Sequence, residues 1–123
     1  MDVFERDFET LRLRVRAERI GADLLVSVSG GDLPHIGSVA IAEPDQLRAE
    51  NGGSATVSTY NVRGHREGEV ATEIAKRISA QLRCRVVVIC GFHYDRFSAD
   101  ILSETKSFTE ELVVTLSACF GEE

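Results

Sequence analysis

Alternating hydrophobic and polar residues predict a run of β-strands in the first half of the chain. Residues 11–17 alternate four apolar positions with Arg12, Arg14 and Arg16, which is the period of a strand with one solvated face. The same period, or an enrichment in β-branched side chains, recurs three more times before the pattern changes. The predicted strands therefore cover residues 11–17, 24–29, 35–42 and 55–62.

The period becomes helical after Gly64. Apolar residues recur every three or four positions through 70–82, and acidic residues precede basic ones in the order that suits the helix dipole. Residues 85–92 form a nearly continuous apolar run, which is typical of an interior strand. Ser98 is a suitable N-cap for a second amphipathic helix that ends near Gly121.

These elements predict a single domain over residues 1–123, of the α+β class, with the order β-β-β-β-α-β-α. We expect two layers: one mostly antiparallel sheet, and both helices packed on one of its faces. The glycines between residues 24–29 and 35–42 favour a hairpin joining those two strands. The arginines of the first strand would lie on the uncovered face, either solvated or facing acidic groups across an interface. Because a small sheet with one bare face often completes its burial by self-association, we expect a homodimer.

Composition narrows the possible partners. The 123 residues are 43% hydrophobic, with 14 Lys and Arg against 20 Asp and Glu, giving a formal charge of -6. A chain this acidic lacks the basic surface that nucleic acid requires. The charged start differs from a secretory signal and no apolar stretch reaches membrane-spanning length, so we expect a cytoplasmic protein without a membrane partner.

Histidine is the most informative residue type. The chain has three, His35, His65 and His93, and each lies within two residues of a glycine at the predicted end of a strand or helix. Imidazole can donate, accept, carry charge or bind a metal, and glycine lets other groups approach the backbone closely. If these three segments converge in space, they form a binding site.

The segment before the first helix has a second notable feature. His65 and Arg66 stand where unpaired backbone N–H groups and the helix dipole attract anions. A bound phosphate or carboxylate would explain cationic side chains at this position. The alternative is a solvated linker in which Glu67 and Glu69 already satisfy the dipole.

Other chemistry has little support. Cys90 lies inside the apolar run and is best interpreted as a buried hydrophobe, because three residues along a strand place it on the face opposite His93. No histidines, cysteines or carboxylates have the spacing of a metal site, and we expect no metal. Nucleophile-elbow, phosphate-loop and dinucleotide motifs are also absent, so no catalytic residue is predicted.

Three blocks of the chain resemble one known family. The run 23–40 contains Gly30-Gly31-Asp32-Leu33-Pro34-His35-Ile36-Gly37 and is similar to the signature of the prenylated-flavin chaperones of the LpdD kind. Residues 64–69 resemble the family's Gly-His-Lys-Glu-Asp-Glu segment, and residues 86–95 resemble its apolar strand ending in histidine with a nearby Asp. The chain departs from the family at Arg66, at Gly68 and in the loop 43–54.

The resemblance implies a non-catalytic chaperone that binds prenylated FMN, or FMN, and assists its delivery to or maturation in a UbiD-type decarboxylase. The decarboxylase, and a flavin prenyltransferase that makes the cofactor, would be its partners. Carried over by position, the resemblance implies cofactor contacts from Gly30, Gly31, Asp32, His35, Ile36, Gly37, His65, Glu67, His93 and Asp95, with Arg66 in place of the family's lysine.

These residues suggest one binding hypothesis and leave two alternatives. His65 and Arg66 would contact the phosphate, His35 and His93 would hydrogen-bond the flavin edge, and the glycines at 30, 31 and 91 would leave room for a flat ring. One alternative is a small enzyme that uses His and Asp as acid and base. The other is a protein-only assembly chaperone that docks a partner through the arginine-bearing sheet face.

Overall fold

The computed structural model describes residues 1–46, 53–62 and 66–121. Within them it shows one mixed sheet with the strand order β1-β2-β3-β6-β4-β5 and a helical layer, which confirms the predicted α+β class. No helix in this part of the chain has the length and apolarity needed to cross a membrane. The elements are β1 (Val3–Phe8), β2 (Leu13–Ile20), β3 (Asp23–Gly31), β4 (Ser38–Pro44), β5 (Ala55–Asn61), α1 (Arg66–Leu82), β6 (Val86–His93) and α2 (Ala99–Phe120).

The core lies between the sheet and the two helices. Alternate residues of the strands point to this side and are buried, as Val15, Val26 and Val88 show. Helix α1 lies against β4, β5 and β6. Helix α2 reaches β1, where the rings of Phe8 and Phe108 meet edge to face with centroids 5.0 Å apart. Both helices therefore cover the same face of the sheet.

The predicted order β-β-β-β-α-β-α was wrong in one respect, because an additional strand, β1, precedes the five predicted ones. Phe4 and Phe8 are its main apolar contacts, four residues apart, and three charged residues separate them. That spacing gives no period-two signal. The strand forms because it lies at the sheet edge and pairs with β2 along its full length, from Val3 opposite Glu18 to Phe8 opposite Leu13.

The missed strand also changes the environment of the arginines. Arg14 and Arg16 point to the uncovered face, but Asp7 and Glu5 of β1 pair with them within the same chain. Their charges therefore need no acidic partner molecule. Arg12 lies in a turn before β2, with a φ of 54°. The prediction that it shares the strand face with Arg14 and Arg16 was therefore wrong.

The predicted hairpin between residues 24–29 and 35–42 was also wrong. Strands β3 and β4 do not pair, because β6 lies between them, parallel to β3 and antiparallel to β4. This agrees with the prediction that the apolar run 85–92 is an interior strand. Strand β4 begins at Ser38 rather than His35, because residues 35–37 cross the end of β6 before pairing starts.

This crossing fixes the connection between β3 and β4. The N–H of Asp32 donates to the carbonyl of His93 at 2.6 Å, and the N–H of Gly37 donates to the carbonyl of Cys90 at 2.8 Å. Between these bonds the chain passes so close to Gly91 that a Cβ there would overlap the carbonyl of His35. Gly91 is therefore required by the close approach of two backbone segments.

We expect Gly91→Ala to be among the most destabilising single-methyl changes in this protein. The added carbon meets backbone rather than a flexible side chain, so β6 or the crossing segment must shift, at a cost of about 3 kcal/mol. Gly21→Ala is the matched control, because its Cβ would meet nothing within 4 Å and only its φ of 63° is unfavourable, at about 1 kcal/mol. Urea denaturation measures both values, and equal losses would contradict this account.

Candidate functional site

A surface pocket of about 620 Å³ lies where β6 ends and the β3–β4 connection crosses it. The parallel pairing of β3 and β6 brings their C-terminal ends together, which is where ligands gather in helix-flanked sheets. The first turn of α1 and the residue after β5 complete its wall. This histidine pocket is lined by Leu33, His35, Ile36, Val62, Glu67, Phe92 and His93.

Glu67 is the buried anchor of the pocket. Its side chain is 8% exposed, and Oε2 accepts a hydrogen bond from the N–H of Phe92 at 2.7 Å. The same oxygen lies 2.8 Å from Nε2 of His35. Glu67 thus links α1, β6 and the β3–β4 connection. Its carboxylate positions these segments and has no room to act as a direct ligand contact at Oε2.

Both ring nitrogens of His35 are occupied. Nδ1 lies 2.9 Å from the carbonyl oxygen of Leu33, which can only accept, so Nδ1 carries a hydrogen. The contact between Nε2 and the Glu67 carboxylate then needs one more proton, held either by an imidazolium or by a carboxylic acid. In either state no nitrogen of His35 is left for a ligand. His35 therefore presents its ring surface to the pocket in this structure, and its hydrogen bond to a flavin edge stays a prediction.

His93 is the more accessible of the two histidines that the structure describes. Its side chain is 55% exposed, and Nε2 lies 3.2 Å from Oδ1 of Asp95. Asp95 therefore orients His93, while Ser98 caps α2 by accepting from the N–H of Ile101, as the sequence predicts. The imidazole of His93 is the polar group best placed to meet a ligand in this pocket.

Three apolar side chains surround these polar groups. Leu33, Ile36 and Val62 are 59%, 64% and 57% exposed, although each lines the pocket. Exposed apolar groups grouped in a concave site are typical of a ligand pocket whose occupant completes their burial. The walls thus favour a flat or apolar ligand, and His93 supplies its polar contact.

Asp32 ties the crossing segment to the β6–α2 loop. Oδ2 accepts from the N–H of Asp95 and Oδ1 from Arg12, both at 2.7 Å. The N–H of Asp95, and then the Arg12 guanidinium, lower the pKa of the Asp32 carboxyl below its usual value. Both oxygens are therefore used inside the protein, and Asp32 supports the pocket rather than facing it.

The predicted glycine positions have internal explanations. A Cβ at Gly30 would overlap the Arg12 carbonyl, and one at Gly31 would overlap the His93 carbonyl. A Cβ at Gly37 would meet the Glu67 carboxylate. These contacts explain why the three positions carry glycine, and the room for a flat ring expected at glycines 30, 31 and 91 stays a prediction.

Part of the predicted anion site lies outside the described residues. This applies to His65 and to the side chain of Arg66, so their phosphate contact stays a prediction. Of the predicted set, the structure brings His35, Ile36, Glu67 and His93 to one pocket.

Residues 7–120 match the family model described as the prenylated flavin chaperone LpdD-like domain. The chain belongs to this family. Protein LpdD of Lactiplantibacillus plantarum is 23% identical over 112 residues, covering 91% of this chain and 79% of LpdD. The family supports a prenylated-flavin chaperone role and a non-catalytic one.

A solved structure shares the fold of this LpdD-like domain. It is a chain from the crystal structure of a novel chaperone complex for yeast 20S proteasome assembly, with a TM-score of 0.65 and 14% identity. The match covers 98% of this chain and 100% of that one. At this level of identity the likeness concerns the fold alone.

Sequence reasoning missed several pocket residues of the LpdD-like domain. Leu33 and Val62 are apolar residues close to glycines in the predicted site segments, and that proximity was the available signal. Phe92 belongs both to the predicted interior strand and to the segment around His93, but it is not among the predicted cofactor contacts. Its position as the wall next to Glu67 depends on the crossing, which the local sequence does not reveal.

A second cleft, of about 370 Å³, lies between α1 and α2 and shares Phe92 with the histidine pocket. Its interior is apolar, because the hydroxyls of Thr105 and Thr109 donate to carbonyls of their own helix. Its rim carries three carboxylates, Glu69, Glu73 and Glu110, against one lysine, Lys106. Arg77 pairs with Glu110, so three carboxylates stand against two cations, and the remaining negative charge slightly disfavours a phosphate-bearing ligand.

Nucleophilic and metal chemistry find no support in the described residues. Cys90 is fully buried, and burial raises the pKa of its thiol strongly. Among residues 1–46, 53–62 and 66–121, no three His, Cys, Asp or Glu side chains are grouped to hold a metal ion.

We expect Glu67→Ala to lower the free energy of unfolding by about 2 to 3 kcal/mol, because the Phe92 N–H and His35 lose a buried acceptor. Glu67→Gln keeps an acceptor oxygen and should cost less than Glu67→Ala. Glu69→Ala, an exposed carboxylate in the same helical turn, should stay within about 0.5 kcal/mol. Urea denaturation ranks the three variants, and an unaffected Glu67→Ala protein would refute the anchoring role.

We expect substitution of Asp32 to loosen the β6–α2 loop at Asp95. In Asp32→Ala the Asp95 amide should exchange its hydrogen faster, whereas Asp32→Asn keeps an acceptor and should show a smaller change. Because the folded-state pKa of Asp32 is lowered, its stabilising contribution is present above its unfolded pKa and is lost as the pH falls through the lower folded value. Amide exchange by NMR tests both points. If the Asp95 amide exchanges equally fast in the unmodified protein, Asp32→Ala and Asp32→Asn, its hydrogen bond to Asp32 does not hold the loop in place.

Proposed function

We propose that this chain binds prenylated FMN, or FMN, in the histidine pocket and assists its delivery to or maturation in a UbiD-type decarboxylase. The observation that carries the proposal is the cluster of exposed apolar side chains, Leu33, Ile36 and Val62, around His93. Membership of a prenylated-flavin chaperone family supports a prenylated flavin as the ligand of this cluster.

The chemistry of the pocket suits a flat ring with a polar edge. Its volume of about 620 Å³ lies within the roughly 300 to 1,000 Å³ usual for cofactor sites. Leu33, Ile36 and Val62 would hold the ring, and His93 would meet its edge, oriented by Asp95. His35 adds ring surface, since Glu67 and Leu33 occupy its nitrogens.

The phosphate needs a separate contact. The start of α1 adjoins the pocket through Glu67, and a helix N-terminus is a ready anion site. His65 and Arg66 are the cationic residues of that segment and are our proposed phosphate contacts. The acidic rim of the cleft between α1 and α2 makes that cleft the poorer choice.

A holding role follows from this arrangement. The prenylated flavin supplies decarboxylation chemistry once it is bound in the decarboxylase. This chain's residues bind the ring, orient it and shield its apolar surface from water. The pocket is open to solvent on one side, as release to a partner requires.

The alternative of a small acid–base enzyme rests on the pair His93 and Asp95. Their side chains are 55% and 77% exposed, so solvent competes for both groups. Reactive acid–base pairs are usually tuned by burial and neighbouring charge. The binding role therefore has the stronger support, and the proposal includes no catalytic residue.

The proposed partners are the decarboxylase and the flavin prenyltransferase, and the proposed compartment is the cytoplasm. We also propose the homodimer expected from the sequence. Its support is that no helix among the described residues covers the second face of the sheet.

The binding proposal predicts a saturable change in flavin absorbance when the protein is titrated into prenylated FMN or FMN. His93→Ala should weaken binding at least tenfold, since it removes the polar contact. Ile36→Asp should weaken it further, because it adds a carboxylate to an apolar wall.

Val114→Asp is the matched control, since Val114 is 65% exposed on α2 and Ile36 is 64% exposed in the pocket. It should bind as the unmodified protein does. Absence of binding by the unmodified protein at micromolar concentration would rule the proposal out, and so would unchanged affinity in Ile36→Asp.

A further inference from the structure

The uncovered face of the sheet carries an apolar patch. Strand register places its residues next to one another: Leu25 lies beside Val87, Val87 beside Ile41, Ile89 beside Val39, and Val39 beside Tyr60. Strand alternation directs all of them away from the helices. The sheet-face patch consists of Leu25, Val39, Ile41, Tyr60, Val87 and Ile89.

These side chains are open to solvent or only partly covered. Tyr60 is 70% exposed and Ile41 is 44% exposed, and the other four are half-buried by their strand neighbours. No member of the patch carries a charge. A contiguous uncharged apolar surface across four neighbouring strands is typical of a protein interface.

The rim of the patch is charged but internally balanced. At one end Arg85 lies 3.3 Å from a carboxylate oxygen of Glu43 and 3.5 Å from one of Asp23. Along the side, Arg16 of β2 contacts Glu5 of β1 and Glu18 of its own strand. Arg14 of β2 contacts Asp7 of β1 in the same way. A partner with a strong charge of either sign would therefore gain little here.

An apolar centre with a polar rim is the usual anatomy of an interface. Because both signs of charge are paired within the rim, two copies of this face can meet without like-charge repulsion. A two-fold axis near the Val39 and Ile89 pair would set β6 over β4 of the second copy and β3 over its β5. The charged strands β1 and β2 would then extend beyond the overlap and stay in solvent.

The available area sets the strength of such an interface. Four strands of about seven residues present a flat area of roughly 450 Å². Two copies would therefore bury about 900 Å² in total, which exceeds most crystal contacts and is the size of a weak, transient interface. We therefore expect a dimer that forms and dissociates as the protein concentration changes.

We propose that two copies of this chain associate face to face through the sheet-face patch. This assigns a surface and a geometry to the proposed homodimer. It does not depend on flavin binding, because the histidine pocket lies at the strand ends rather than on the face.

The test is sedimentation equilibrium of the full chain between about 1 and 100 μM. The unmodified protein should approach twice its chain mass of 13.5 kDa at the upper concentrations. Ile41→Lys and Tyr60→Lys place a charge in the patch at exposed positions and should each weaken association at least tenfold. Circular dichroism should show that both variants remain folded.

Val114→Lys is the control, because it adds the same charge to an equally exposed apolar position on α2 and should leave the association unchanged. The proposal fails if the unmodified protein stays monomeric at 100 μM. It also fails if the two patch variants associate as tightly as the unmodified protein, or if Val114→Lys alone dissociates the dimer. If the unmodified protein is monomeric and the patch variants no longer bind the decarboxylase, the patch is the binding surface for the decarboxylase. The face-to-face dimer is then wrong.

Flavin titration of the same proteins separates the two proposals. Ile41→Lys should lose the dimer and keep the flavin. A monomer that binds flavin overturns only the interface, and a dimer without flavin affinity overturns only the cofactor proposal.

Discussion

The crossing of the β3–β4 connection over the end of β6 is the constraint on which the rest of the site depends. Hydrogen bonds from Asp32 and Gly37 to the carbonyls of His93 and Cys90 hold the two segments together. Gly91 must lack a side chain for this approach to occur. Once the crossing is made, His35 reaches Glu67 of α1, and a pocket forms at the strand ends.

Many charged side chains of this protein form ion pairs with one another within the chain. Arg12 binds Asp32, the arginines of β2 meet the acids of β1, and Arg85 bridges Asp23 and Glu43. Despite a formal charge of -6, the histidine pocket and the sheet-face patch are therefore largely apolar. They are separate in the fold, since one lies at the strand ends and the other on the open face of the sheet. A ligand and a partner protein can thus be accommodated together.

The sequence revealed the elements whose periodicity is strong. The helical stripe of 70–82 and the uninterrupted apolar run of β6 led to α1 and to an interior strand, and together they fixed the α+β class. Strand β1 was not predicted, because its two phenylalanines are four residues apart and give no alternating pattern. The false hairpin arose because local turn signals cannot show that a strand from 50 residues later will insert between two neighbours.

The candidate site was predictable to the same extent. Two of the three histidines near glycines, His35 and His93, lie in one pocket, as the sequence leads one to expect if their segments converge. What local sequence could not show was how each group is used. His35 contacts Glu67, and Asp32 accepts a hydrogen bond from the N–H of Asp95, so these two side chains hold distant segments of the site together. Leu33 and Val62 line the pocket. Roles that depend on contacts between residues far apart in the chain required the structure.

The central claim is that the histidine pocket is the flavin site. NMR mapping tests it most directly, by following the backbone amide signals as prenylated FMN is added to the unmodified protein. The account predicts that the largest shifts occur at Leu33, Ile36, Val62 and His93, with little change in the middle of α2. Shifts confined to the cleft between α1 and α2 or to the open sheet face, or no shifts at all, would contradict it.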